Sequence, residues 1–162
     1  MGYDAGRQLA GFGNRLLGRI LDGILYGLVS LVFVIPAVVM FRVAFDDCYS
    51  INDEIRCPEG ALNGGALAAA IALILAAVLL VAVLYVRSLG KTGQTWGRKI
   101  AGVKVVSKET GAPIGIGRAF GRSLFAGVIS GNICFLGYLW MLWDKDRQTW
   151  HDKIVGSIVI KA

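Results

Sequence analysis

Residues 65–86 read GALAAAIALILAAVLLVAVLYV, 22 residues without a charged side chain. As a helix this stretch reaches about 33 Å, enough for a hydrocarbon core of about 30 Å. A second stretch, Leu16 to Phe41, carries only Arg19 and Asp22 as charges, both near its start. A chain of 162 residues has no core large enough to hide two such helices, which argues against a soluble protein. A cleaved signal peptide fits the first stretch poorly, because the apolar run is too long, contains Asp22 and precedes no A-x-A site. Composition agrees. Hydrophobic residues make up 56%, charged residues 17%, and mean hydropathy is +0.63, whereas soluble domains carry about 25% charged residues. A net charge of +6 would point to nucleic acid in a soluble chain. Here its distribution along the chain matters more, and no nucleic-acid partner is expected.

That distribution sets an expected orientation. Residues 43–64 hold Asp46, Asp47, Asp53, Glu54 and Glu59 against Arg56. Residues 87–118 hold Arg87, Lys91, Arg98, Lys99, Lys104, Lys108 and Arg118 against Glu109. Basic loops stay in the cytoplasm, so residues 1–14 and 87–118 are expected inside the plasma membrane and 43–64 outside. Cys48 and Cys57 both lie in the outer segment, where a disulfide is expected to persist, with two free thiols as the alternative. Cys134 lies in an apolar stretch and reads as a packing residue.

The chain repeats itself. QTWGRKIAGVKVV at 94–106 and QTWHDKIVGSIVI at 148–160 agree at seven of thirteen positions. Each copy runs from a polar turn through a Trp (Trp96, Trp150) suited to the membrane interface and a Lys (Lys99, Lys153) able to extend toward headgroups. Each ends in a β-branched run, Val103–Val106 or Ile158–Ile160, expected to form short strands that pair with each other. Pairing requires both copies on one side of the membrane. The third apolar stretch, 119–143, is then read as a re-entrant or helical hairpin turning near Ser130-Gly131-Asn132, in preference to a single crossing. Arg118, Arg122, Lys145 and Arg147 flank it with like charge, as a same-side hairpin requires. Its arms of ten to thirteen residues are short for full spans. The fold class expected is an all-α membrane domain with two long transmembrane helices, this third region, and short paired cytoplasmic strands closing at 144–162.

Arg15, Arg19 and Asp22 recur at helical spacing and share one face of the first helix, with Gly18, Gly23 and Gly27 on or near the same side. Asp22 lies about 10 Å along the axis from Arg15. A carboxylate there must be neutral, paired or facing water. Arg19, one turn away, is its nearest candidate partner; the alternatives are a structural ion pair and a proton or cation site. An arginine, Arg15 or Arg19, is expected to pair with Asp22 or Asp152. His151 is the only histidine, so no metal cluster is expected. Read on a strand, His151 and Asp152 would point opposite ways. GAPIGIG at 111–117 lacks phosphate-cradling spacing, and no nucleophile or dinucleotide motif occurs. Neither an enzyme nor a cofactor is therefore expected.

These residues resemble the RDD family of prokaryotic membrane proteins. Arg15 and Asp22 in RLLGRILD match its first arginine and aspartate by their spacing, Asp152 in WHDKIVGSIVI matches its second aspartate, and GQTWGRKIAGVKVV resembles its segment after the second helix. Arg19 could stand in for Arg15. The likeness runs from about Gly11 to Ile160, whereas the loop with Cys48 and Cys57 lies outside the family pattern. The resemblance implies a polar cluster of Arg15, Asp22 and Asp152, supported by Arg19, Arg98 and Lys99. It also implies a role in transport of an ion or small ligand, sodium/proton exchange having been proposed for some members. The competing reading is a non-catalytic accessory or scaffold subunit. The partners expected are the bilayer with its anionic headgroups, and a second copy or another membrane protein.

Overall fold

The computed structural model describes residues 8–52, 54–130 and 136–162. It is mostly helical, with two small antiparallel sheets. The chain divides into two compact units, Met1–Leu25 with Val83–Ala162, and Tyr26–Ala82. The two apolar stretches form α1, Phe12–Ala44, and α2, Gly64–Thr92. Both are long and apolar enough to cross a membrane, and only 11% of each apolar window is buried within the chain. Core helices of soluble proteins bury most of such a surface. Here Ile24, Leu28, Val32, Ile35, Leu75, Val78 and Leu79 are all exposed, as apolar side chains that lipid covers would be.

In the unit Tyr26–Ala82, residues 45–63 are more ordered than a loop. Strands β1 (Tyr49–Ile51) and β2 (Glu54–Arg56) form a hairpin in register Tyr49↔Arg56. Cys48 and Cys57 flank it and are joined as a disulfide, as their shared segment led us to expect. Asn63 then caps α2, its side-chain oxygen accepting from the Ala66 amide at 3.0 Å.

The other unit is built on the repeat. Each copy starts with a one-turn helix, α3 (Trp96–Ile100) in the first and α6 (Trp150–Ile154) in the second, and continues into a strand, β3 (Val103–Ser107) or β4 (Ser157–Lys161). The same devices recur in both. Gln94 reaches the Val103 carbonyl at 3.1 Å and Gln148 the Ser157 carbonyl at 2.8 Å. Gly102 and Gly156 turn helix into strand at φ of 63° and 62°. The strands pair antiparallel, as expected, from Val103↔Lys161 to Ser107↔Ser157. The far edge of β4 is covered by residues 8–10, through Ala10 N to Val159 O and Lys161 N to Gln8 O, both 2.9 Å. Ala10, Leu89, Val103, Val105, Ile114, Ala119 and Val159 form the core beneath. The helical start of each copy corrects the strand reading of His151 and Asp152, which are both buried on α6.

The third apolar stretch is broken. Helix α4 (Ile116–Phe125) widens into a π turn at Ala126–Ser130, and the chain resumes as α5 (Leu136–Leu139) and a 3-10 turn, Trp140–Leu142. Tyr138 Oη donates to the Ala126 carbonyl at 3.0 Å. Twelve residues of straight helix would span about 18 Å, so Ala126 and Tyr138 are not joined by one straight helix. The turn expected at Gly131-Asn132, and Cys134, lie outside the described residues.

Candidate functional site

Two carboxylates organise this unit. Asp152 is fully buried. It accepts from Arg122 Nε at 2.8 Å, Thr149 Oγ at 2.8 Å, the Thr149 amide at 3.3 Å and Ser157 Oγ at 2.9 Å. Its ion pairs are with Arg122 at 2.7 Å and Arg15 at 3.3 Å. Through Thr149 it also completes the capping box of α6. Burial by itself would raise the Asp152 carboxyl, but Arg122 and Arg15 together with Thr149 outweigh it and hold the group well below the usual carboxylate range. The expected Arg15–Asp152 pairing is therefore present, and Arg122, read from sequence only as a flanking charge, makes the shorter contact.

Asp22 performs the matching service for the first copy, from another helix. Buried on α1, it accepts from Thr95 Oγ and, at 2.7 Å, from the Gly97 amide, an otherwise unpaired donor of the first turn of α3. The repeat explains why. Aligning the copies sets Arg98 against Asp152 and Gly97 against His151, so the first copy lacks a carboxylate of its own and borrows that of Asp22. The approach is close. A Cβ on Gly97 would lie 2.3 Å from the Asp22 nitrogen, and one on Gly18 would lie 3.2 Å from Arg98 Cγ. Gly18 thus takes the close packing expected of the glycine face, whereas Gly23 and Gly27 meet nothing within 4 Å.

The expected Arg19–Asp22 pair is absent: among the described residues no ion pair joins them. Arg19 instead donates to the hydroxyls of Tyr85 and Tyr138, each at 3.3 Å. Arg98 donates to the same Tyr85 hydroxyl at 2.7 Å, with Nη1 left without a hydrogen-bond partner. Lys99 is exposed and stands apart, and Lys153 pairs with Asp144. His151 faces Thr149 Oγ at 2.9 Å and the Tyr138 ring edge-on at 5.1 Å. Burial, reinforced by Arg122, pushes it down to about 3, so the ring is neutral at physiological pH.

Some of these side chains, though not Asp22, Tyr85, Lys99 or Lys153, line a cavity of about 460 Å³. Arg15, Arg19, Arg98, Arg122, His151 and Asp152 supply its charged and titratable lining; Phe12, Leu16, Ala126, Leu139 and Met141 supply much of its apolar wall. Sequence reasoning found Arg15, Asp22 and Asp152 but not Thr95, Gly97, Tyr85 or Tyr138. The exchange of Asp for Arg between the repeat copies was the available signal.

The RDD family pattern matches residues 9–156. A Bacillus subtilis (strain 168) protein named "Uncharacterized protein YxaI" is 29% identical over 155 residues, covering 93% of this chain and 96% of its own. The "Proline-rich antigen homolog" of Mycobacterium tuberculosis (strain ATCC 25618 / H37Rv) is 44% identical over 71 residues, covering 44% of this chain and 29% of its own. The "Proline-rich antigen" of Mycobacterium leprae (strain TN) is 41% identical over 71 residues, covering 44% and 28%. The chain thus spans less than a third of the length of these mycobacterial relatives. No solved structure matches it. With two helices long and apolar enough to cross a membrane and a family match from residue 9 to residue 156, the chain belongs to the RDD family.

Proposed function

We propose that this protein is a multi-pass plasma-membrane protein, N-terminus cytoplasmic, that takes part in transport of an ion or small ligand through the arginine-lined cavity. The observation that carries the reading is the cavity itself: of the four guanidiniums that line it, Arg15 and Arg122 pair with Asp152, whereas Arg19 and Arg98 have no carboxylate partner among the described residues. Acidic residues in 43–64, basic residues in 87–118 and the Cys48–Cys57 disulfide support the orientation. In this reading Asp22 and Asp152 are structural, because the repeat helices already occupy their oxygens, and the arginines meet the ligand. A domain this small encloses a path only with help, so a second copy packed along α1 belongs to the proposal. Purified protein in liposomes loaded with reporters for sodium, protons and inorganic phosphate tests it. Flux of one of these is expected, with loss in Arg19→Gln; equal flux in that variant, or none in the unaltered protein, counts against transport.

A scaffold role is the second reading, favoured by the saturated hydrogen bonding of Asp152, which resembles a lock more than a binding group. Stoichiometric co-purification of one membrane partner, with no flux, would select it.

A further inference from the structure

We propose that the cavity binds a phosphoryl oxyanion, held by Arg98 and Arg19. The proposal rests on the reading of the cavity as a ligand site and names its ligand class. Four guanidiniums line the space with one carboxylate, Asp152, while Asp22 bonds the helix that carries Arg98 without lining the cavity. Arg15 and Arg122 are engaged by Asp152. Asp22 is engaged by Thr95 and Gly97. Arg19 and Arg98 remain, and both donate to one phenol oxygen, that of Tyr85, while no carboxylate is bonded to either among the described residues. A neutral oxygen between two cations does not balance them.

Arg98 carries the argument furthest. It is only 7% exposed, and its Nη1 has no hydrogen-bond partner. Its guanidinium contacts Tyr85, through the hydroxyl and the ring face, and a buried donor left without an acceptor is unfavourable. No described residue supplies the missing acceptor, and the cavity that Arg98 lines offers room for one from a ligand. Oxyanions match the guanidinium fork, and a phosphoryl group offers oxygens to donors converging from two helices. The apolar wall of Phe12, Leu16, Ala126, Leu139 and Met141 suits a ligand that also has an apolar body. Two sources share this chemistry: the headgroup of an anionic phospholipid and a free phosphate compound.

The test uses the full chain in a zwitterionic detergent, with thermal unfolding followed by tryptophan fluorescence at ionic strength held constant with KCl. Inorganic phosphate, dihexanoyl phosphatidylglycerol and dihexanoyl phosphatidylcholine are titrated separately. A saturable rise in Tm is expected with phosphate or phosphatidylglycerol, with apparent affinity at least tenfold weaker in Arg98→Gln and Arg19→Gln. A response to inorganic phosphate supports the site with a soluble source; a response to phosphatidylglycerol alone supports it with a lipid source. The absence of any saturable response, an equal response to phosphatidylcholine, or unchanged affinity in the variants overturns it. Should Arg98→Gln not fold, Arg19→Gln decides, since Arg19 lies at an exposed position of α1. Sodium or proton flux without oxyanion binding overturns this inference alone; oxyanion binding without flux upholds the site and removes transport.

Discussion

Replacing Asp152 with Asn should damage this protein far more than replacing Asp22 with Asn, although both aspartates are buried. The difference follows from what each one neutralises. Asp152 is 0% exposed and pairs with two arginines whose side chains are 6% and 12% exposed. Its amide replacement leaves Arg122 and Arg15 as uncompensated charges in a buried setting, at roughly 3–5 kcal/mol for breaking such a pair. Asp22 accepts from a hydroxyl and a backbone amide, and among the described residues no ion pair joins it to an arginine. An Asn there keeps one acceptor oxygen, so the loss is that of one buried hydrogen bond, about 1–3 kcal/mol. For a chain of this size the first figure corresponds to a fall in Tm of roughly 6–20 °C. Circular dichroism melts of both variants in the same detergent measure the ranking. Adding Arg122→Gln to Asp152→Asn should then recover part of the loss, because it removes one stranded cation. A Tm for Asp22→Asn at or below that of Asp152→Asn would refute the reasoning, as would a double variant less stable than Asp152→Asn alone.

Gly97→Ala should cost about 1–3 kcal/mol or prevent folding, because the new methyl falls on the α1 backbone; size-exclusion recovery of monodisperse protein measures this. His151 titrates near 6.5 when unfolded and is held to about 3 in the fold. Its contribution to stability is therefore complete above pH 6.5 and falls with pH below it, by about 1.4 kcal/mol per unit. His151→Phe should flatten the Tm-against-pH curve between pH 6.5 and 4, and an unchanged slope there would exclude the residue as its source. Maleimide labelling of the denatured, unreduced protein should add one label per chain, at Cys134, and three after reduction; three labels before reduction would contradict the Cys48–Cys57 bond.

Much of this protein was legible from local pattern, because the interactions concerned are periodic or near in sequence. Apolar runs long enough to span lipid predict α1 and α2 within a few residues, although the turns at Phe12–Arg15 and Arg87–Thr92 carry the helices past the apolar limits. The repeat predicts paired strands, because similar edges on one side of a membrane satisfy each other. Two cysteines close together in one segment predict their bond.

Only the tertiary structure decided who holds Asp22. Arg19, at helical spacing, was the nearest cation by sequence, but Thr95 and Gly97, more than 70 residues away, occupy the carboxylate because α3 lacks the acid that α6 carries at Asp152. The contact of Arg122 with Asp152, read from sequence only as a flanking charge, is likewise a product of packing. One-dimensional patterns record which residues prefer lipid, water or a turn. They do not record which buried donor reaches which acceptor, because that depends on how closely two backbones approach, and here a missing side chain at Gly97 sets that distance.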